Sequence, residues 1–229
     1  MFRMRRPSRN SCVQSLLVLT FILSGCGEDA SIPPPKPPDQ GVARPAPPTK
    51  PQAVTPAEAV ERVEWYVSTS DDDARAAKVG GLELPKPVTW VWQPASMRFR
   101  TLQYQVPGQG EGSGAAELIF SVFDGDDGGP TDMNIQRWVN QFTGEDGKPS
   151  EPVRSVFEGD GYTANLVETA GSYQGMGAPA PRVGQRQLGA IVELPGRRIF
   201  IRITGPDVTV EAARSAFEKM ITEATVTNS

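Results

Sequence analysis

The apolar positions of this chain change period along its length, and each period names an element. Thr55-Pro56-Ala57-Glu58 carries the parts of a helix start: a capping threonine, a proline suited to the first turn and a glutamate that closes a capping box. Val60, Val63 and Val67 then recur on one helical face. Asp71-Asp72-Asp73 is expected to open a second short helix, which Gly80-Gly81 ends. From Leu82 the period drops to two. Residues 88–93 and 97–106 are predicted strands; in the second, Leu102, Tyr104 and Val106 share a face, and a phase slip near Arg100-Thr101 predicts a bulge or bend. The glycine-rich stretch 107–114 superficially matches a phosphate cradle, but a strand follows it where such a fingerprint needs a helix, so it is a hairpin loop. Residues 115–124 are apolar on both faces, with Ala116, Leu118, Phe120 and Val122 opposite Ile119 and Phe123. That is the pattern of a central strand covered on both sides.

Helical spacing returns at residues 132–142, capped by Thr131. Ile135, Trp138, Val139 and Phe142 form the apolar stripe, with Asn134, Arg137 and Gln141 on the polar side. Two hairpins follow, 153–158 with 162–169 across Gly159-Asp160, and 186–194 with 197–204 across Pro195-Gly196. In the second, Leu188, Ala190, Val192 and Leu194 share a face, as do Ile199, Ile201 and Ile203. Between the hairpins, residues 171–185 read as a long irregular loop. Gly205-Pro206-Asp207 opens a last helix with Val210, Ala213, Phe217 and Met220 inward. The order predicts an α+β fold, a single antiparallel β-sheet covered by helices as an α/β/α sandwich. A helical extension is expected over 57–81 and the globular domain over 82–229.

The first 56 residues follow different rules. A basic start, Arg3 to Arg9, precedes an apolar run from Val13 to Leu23 that is too short to span a bilayer. It ends in Leu23-Ser24-Gly25-Cys26, which resembles the lipobox of bacterial lipoproteins. The resemblance implies a signal peptide over 1–25, cleavage before Cys26, and acylation of Cys26 as the attachment to a membrane, with palmitate on the new amino terminus. Gly27 does not match the aspartate that retains some lipoproteins at the inner membrane, so an outer-membrane anchor facing the periplasm is expected. Residues 26–56 are dominated by proline, whose missing amide and fixed φ favour an extended, disordered spacer reaching at most ~90 Å.

Charge and composition narrow the chemistry. The full chain has 23 basic and 27 acidic side chains, and loss of the four arginines before residue 10 moves the net charge from −4 to −8. That balance argues against nucleic acid as a partner. No histidine occurs, which removes the Ser-His-Asp triad and the commonest zinc ligand. Cys12 and Cys26 are the only cysteines, so the mature domain has no disulfide available. Asp124 to Asp127 approach a calcium loop, but Gly128 and Ile135 stand where ligands belong, and a turn without metal is expected. No cofactor is implied.

Residues 82–222 resemble the PsbP-like α/β/α sandwich family, named for a photosystem II lumenal subunit. The similarity lies in the element order, in Leu82-Glu83-Leu84-Pro85 followed by tryptophan, and in Phe200-Ile201-Arg202-Ile203-Thr204-Gly205-Pro206 before a helix. That family consists largely of binding and assembly-assisting modules. The expectation is therefore a lipid-anchored envelope protein whose acidic domain binds an envelope protein or ligand without catalysis, in an oligomeric state the sequence leaves open. A carboxylate-dependent envelope hydrolase is the alternative. Tyr173, Met176 and Arg182 in the 171–185 loop are the candidate contact surface, because aromatic, Met and Arg side chains are enriched at interfaces. Asn134 and Arg137 are a further candidate pair, against the plainer reading of a locally hydrogen-bonded helix face.

Overall fold

Buried and exposed side chains alternate through most of the described chain, residues 64–109 and 113–227 of the computed structural model, and the backbone runs there mainly as strand. In order the elements are β1 (Ala76–Val79), β2 (Leu82–Pro85), β3 (Val91–Gln93), β4 (Leu102–Val106), β5 (Ala116–Asp124), α1 (Thr131–Val139), β6 (Phe142–Thr143), β7 (Val153–Gly159), β8 (Tyr162–Tyr173), β9 (Arg182–Leu194), β10 (Arg197–Pro206), α2 (Asp207–Thr222) and β11 (Thr225–Val226). The main sheet has the order β3-β4-β5-β10-β9-β8-β6, with β7 also paired to β8, and every pairing is antiparallel. A smaller sheet, β1-β2-β11, stands beside it.

The period of two divides the main sheet into two faces. One face carries Leu118, Phe120, Leu188, Ala190, Val192, Ile199, Ile201 and Ile203 against Val210, Phe217 and Met220 of α2 and Leu82 and Leu84 of the small sheet. Each such side chain contributes roughly 1.5–3 kcal/mol by leaving water. Tyr162 on β8 donates its hydroxyl to the Ile221 carbonyl at 2.5 Å, which ties α2 to this face. The other face is covered only in part. Ile135, Trp138 and Val139 of α1 pack on Val167, Ile191 and Phe200, with Phe123 at the margin. The result is an antiparallel sheet with one helix on each face, as the α+β expectation has it, although the small sheet makes it two sheets and not one.

Several local expectations are corrected. Residues 71–81 are not helical: Gly80 and Gly81, at φ 59° and 76°, close a two-residue hairpin turn between β1 and β2. Ala77, Val79, Leu82 and Leu84 alternate inward there, so the period was already two. Val67 packs on the core from a segment without regular structure, while Val60, Val63 and the proposed cap at Thr55 lie outside the described residues. Residues 97–100 turn rather than extend, with the Arg100 amide on the Met97 carbonyl at 3.2 Å and Phe99 at φ 69°. The α1 helix ends at Val139, and Phe142 is buried as part of β6. Thr131 does not cap it; its hydroxyl donates to Glu193 on β9. The 171–185 loop is strand at both ends, over 171–173 and 182–185. A bulge between Gly171 (φ 142°) and Tyr173 resets the register, and β8 and β9 run on to pair Tyr173 with Arg182, leaving 174–181 as the connection.

Candidate functional site

β10 sends Ile199, Ile201 and Ile203 into the α2-side core, so Phe200, Arg202 and Thr204 stand on the α1 side. Trp138 covers Phe200 edge-on, with ring centroids 5.7 Å apart. One pair further along, Arg202 lies in register between Ile119 and Gly189. A Cβ on Gly189 would fall 2.9 Å from the Trp138 ring, so only glycine lets the indole lie against β9. The Arg202 guanidinium then stacks 5.2 Å from that ring centroid. Among the described residues its side chain donates to Gln141 Oε1 at 3.5 Å, and no carboxylate there lies within ion-pair distance of it. Burial pulls its pKa below the usual arginine range, repulsion from Arg100 and Arg137 adds to this, and Tyr173 and Glu117 oppose it. Arginine still remains charged in a protein. The face therefore holds a half-buried cation with no carboxylate among the described residues at ion-pair distance, an arrangement open to an anionic partner.

The surroundings are cationic and rich in donors. Arg137 donates to Asn134 Oδ1 at 2.5 Å and has no carboxylate partner among the described residues. Arg100 donates to Gln103 Oε1 at 2.8 Å and lies 3.5 Å from Glu117, the carboxylate nearest this group. Tyr173 packs on Phe142 with centroids 4.9 Å apart, and Arg182 stacks on Tyr173 at 5.5 Å. In the next row of the sheet Glu117, Thr204, Gln187 and Thr169 are cross-strand neighbours. Gln187 is fully buried and accepts from Thr204 Oγ1 at 3.3 Å. Its Nε2, Thr169 Oγ1 and Gln185 Oε1 are buried polar atoms without a protein partner. Each such atom costs about 1–3 kcal/mol. Gln187 and Thr169 lie in the row next to Arg202 on the same face, and Gln185 lies one row further along β9. Guanidinium, amide and hydroxyl donors converging on a half-covered face suit an oxyanion such as a carboxylate or phosphate.

Of the contact residues expected from sequence, the structure gathers Arg137, Tyr173 and Arg182 around this face. Met176 projects from the tip of the 174–181 connection, 89% exposed. Asn134 is not a surface group: it is buried, with Nδ2 donating to the Gly128 and Pro130 carbonyls at 2.8 and 2.9 Å, which fastens the start of α1. Cys26 lies outside the described residues. Arg202, Arg100, Gln187 and Thr169 were missed. Only Arg202 carried a signal, because Phe200-Ile201-Arg202-Ile203-Thr204 alternates, and a strand covered on both faces cannot place an arginine neutrally on either.

Two other concave regions are built differently. A cleft of about 210 Å³ is lined by Trp90, Trp92, Tyr104, Lys86, Asp72 and Asp73. Its polar groups are already satisfied internally: Lys86 Nζ donates to the carbonyls of Ala74 and, at 3.0 Å, Trp90, while Asp72 accepts from Tyr66 at 2.6 Å. A second, lined by Glu168, Leu188, Arg214 and Phe217, sits beside an ion network in which Glu168 holds both Arg186 and Arg214 and Arg186 also holds Asp207. Asp72, Asp73, Glu168 and Glu211 are all pushed below the ordinary carboxylate range, chiefly by hydrogen bonds from Tyr66, Arg75, Arg214 and Arg214 respectively. A general acid at neutral pH needs the opposite shift.

No protein family matches the chain, and no curated protein does. Among the solved structures that are similar to it are the following three. LpqN, described as involved in cell envelope biogenesis of Mycobacterium tuberculosis, is 16% identical with a TM-score of 0.45, covering 64% of this chain and 83% of its own. PA94, a protein of unknown function from Pseudomonas aeruginosa, is 15% identical with a TM-score of 0.39, covering 64% and 92%. The cyanobacterial PsbP, CyanoP, from Synechocystis sp. PCC 6803 is 13% identical with a TM-score of 0.44, covering 71% and 91%.

Proposed function

We propose that the chain is a lipid-anchored protein of the cell envelope, held to the outer membrane through Cys26, whose PsbP-like sheet domain binds an oxyanionic group of an envelope component on the Arg202 face. The observation that carries the binding reading is the half-buried Arg202, with no carboxylate at ion-pair distance, beside the Gln187 Nε2 that has no hydrogen-bond partner among the described residues. The anchor rests on the Leu23-Ser24-Gly25-Cys26 stretch and the proline-rich residues after it. Among the described residues, no helix is long and apolar enough to cross a membrane. The carboxylate hydrolase is the poorer reading, since the four perturbed carboxyls are pushed toward ionisation.

Two experiments test the proposal separately. Cys26→Ala should abolish acyl labelling and release the chain from membranes; unchanged labelling ends the anchor. For the site, phosphate or glutarate at constant ionic strength should raise the thermal midpoint of the wild-type chain and leave Arg202→Gln unmoved. Equal response of the two proteins removes Arg202 from the site.

A further inference from the structure

The strand β7 ends the main sheet at one side, and β8 is its only partner among the described residues. Its sequence, Val153-Arg154-Ser155-Val156-Phe157-Glu158-Gly159, contains no proline, no lysine and no glycine before its last residue; Pro152 stands just ahead of it. Val153 and Val156 are 67% and 62% exposed. Edge strands are ordinarily protected by proline, lysine, bulges or charges, because their free amides and carbonyls are templates for another strand; of these β7 has only Arg154 and Glu158, which are of opposite sign.

The hairpin geometry says which groups are free. β7 and β8 are joined by the two-residue turn Asp160-Gly161, so Gly159 and Tyr162 face each other as the closing hydrogen-bonded pair. Alternation then turns the amides and carbonyls of Val153, Ser155 and Phe157 toward β8. Those of Arg154, Val156 and Glu158 point outward. We propose that this edge pairs antiparallel with the β7 strand of a second copy of the chain, about a two-fold axis through Val156.

The register follows from charge. The free groups meet when a two-fold axis passes through an outward-bonding residue, or through Ser155 or Phe157 between two of them. An axis on Ser155 or on Phe157 would set Arg154 or Glu158, respectively, opposite Val156 and would form no Arg154–Glu158 pair. Centred on Arg154 or on Glu158, it would set like charges directly opposite, which is destabilising. Centred on Val156, it sets Arg154 opposite Glu158 of the second copy on both sides of the axis, with the two Val156 side chains between them. These side chains share the α1 side of the sheet, where Arg154 now spends its charge on the 88%-exposed Asp132 at 3.0 Å. On the other side of the sheet, Val153 and Ser155 meet Gly159 and Phe157 of the second copy and extend the half-buried Phe157 contact with the core. One strand pair buries less area than a standard interface, so the association should be concentration-dependent.

The experiment is sedimentation of the full chain in detergent micelles across a dilution series. The wild type should pass from monomer to dimer. Arg154→Glu should weaken the dimer by at least tenfold, and the swap Arg154→Glu with Glu158→Arg should restore it. Val156→Pro should abolish it while leaving the thermal midpoint close to that of Val156→Ala, because the lost amide faces outward in the monomer. A chain that stays monomeric throughout overturns the proposal, as does a dimer indifferent to Arg154→Glu. Should Val156→Pro fail to fold, the charge swap decides alone. Protection of the Arg154, Val156 and Glu158 amides only after addition of a different protein would likewise overturn it, since the occupant would not be a second copy.

Discussion

Replacing Arg202 by methionine should stabilise the folded domain and remove its response to anions. The guanidinium is half-buried, has no carboxylate among the described residues at ion-pair distance and gains little from Gln141 at 3.5 Å, a separation at the edge of hydrogen bonding. Its main favourable contact is the stack on Trp138, worth about 0.5–2 kcal/mol. Exchanging buried charged groups for packed apolar ones is commonly neutral or stabilising by roughly 1–4 kcal/mol. Methionine can follow the same path over the indole, beside Ile119. The balance is a gain of about 1 kcal/mol, a rise in the thermal midpoint of roughly 2–4 °C for a domain of this size. The assay is reversible thermal unfolding in buffer without phosphate or carboxylate, repeated with each anion added. Wild type should start lower and climb with anion; Arg202→Met should start higher and stay flat. A loss of more than about 1 kcal/mol in anion-free buffer would refute the reasoning, because Arg202 would then be a structural tie and not an unpaired binding group.

Gly189→Ala should cost about 1–3 kcal/mol by driving a methyl into Trp138, measured by urea unfolding with an unchanged slope. Glu168→Gln should cost about 2 kcal/mol at neutral pH by loosening Arg186 and Arg214 from β8. Glu168 is held below its ordinary value of 4.5, mainly by Arg214, so its contribution is full above that value and fades as pH falls through the lower folded one. Acid titration of the midpoint should therefore show a shallower loss in Glu168→Gln than in wild type. Lys86→Met should cost about 2–3 kcal/mol, because it strands the Ala74 and Trp90 carbonyls that the ammonium now bridges, and unfolding at neutral pH will show it.

What local pattern could determine, it did. Period two in residues 186–204 was enough to identify the β9–β10 hairpin and the inward set Leu188, Ala190, Val192, Ile199, Ile201 and Ile203, because strand alternation is a property of the backbone itself. The helical spacing of Ile135, Trp138 and Val139, and of Val210, Ala213, Phe217 and Met220, placed both helices and their buried faces in the same way. Positions where two local rules competed went to the tertiary structure. Gly80-Gly81 serves a helix end or a hairpin equally well, and the burial of Ala77, Val79, Leu82 and Leu84 between sheet and helix α2 chose the hairpin. Gly171 and Gly184 resembled loop residues, yet the β8–β9 ladder runs past both to pair Tyr173 with Arg182, since one bulge costs less than leaving both edges unpaired. The candidate site lay furthest from sequence. Arg137, Tyr173 and Arg182 were visible as residue types, but Arg202, Gln187 and Thr169 come from three strands and Arg100 from the turn before β4, and no local pattern encodes the register that brings them together. Only the stacking of those strands sets a charged row beside a half-covering helix, and the desolvation that marks Arg202 exists only once α1 has closed over part of that face.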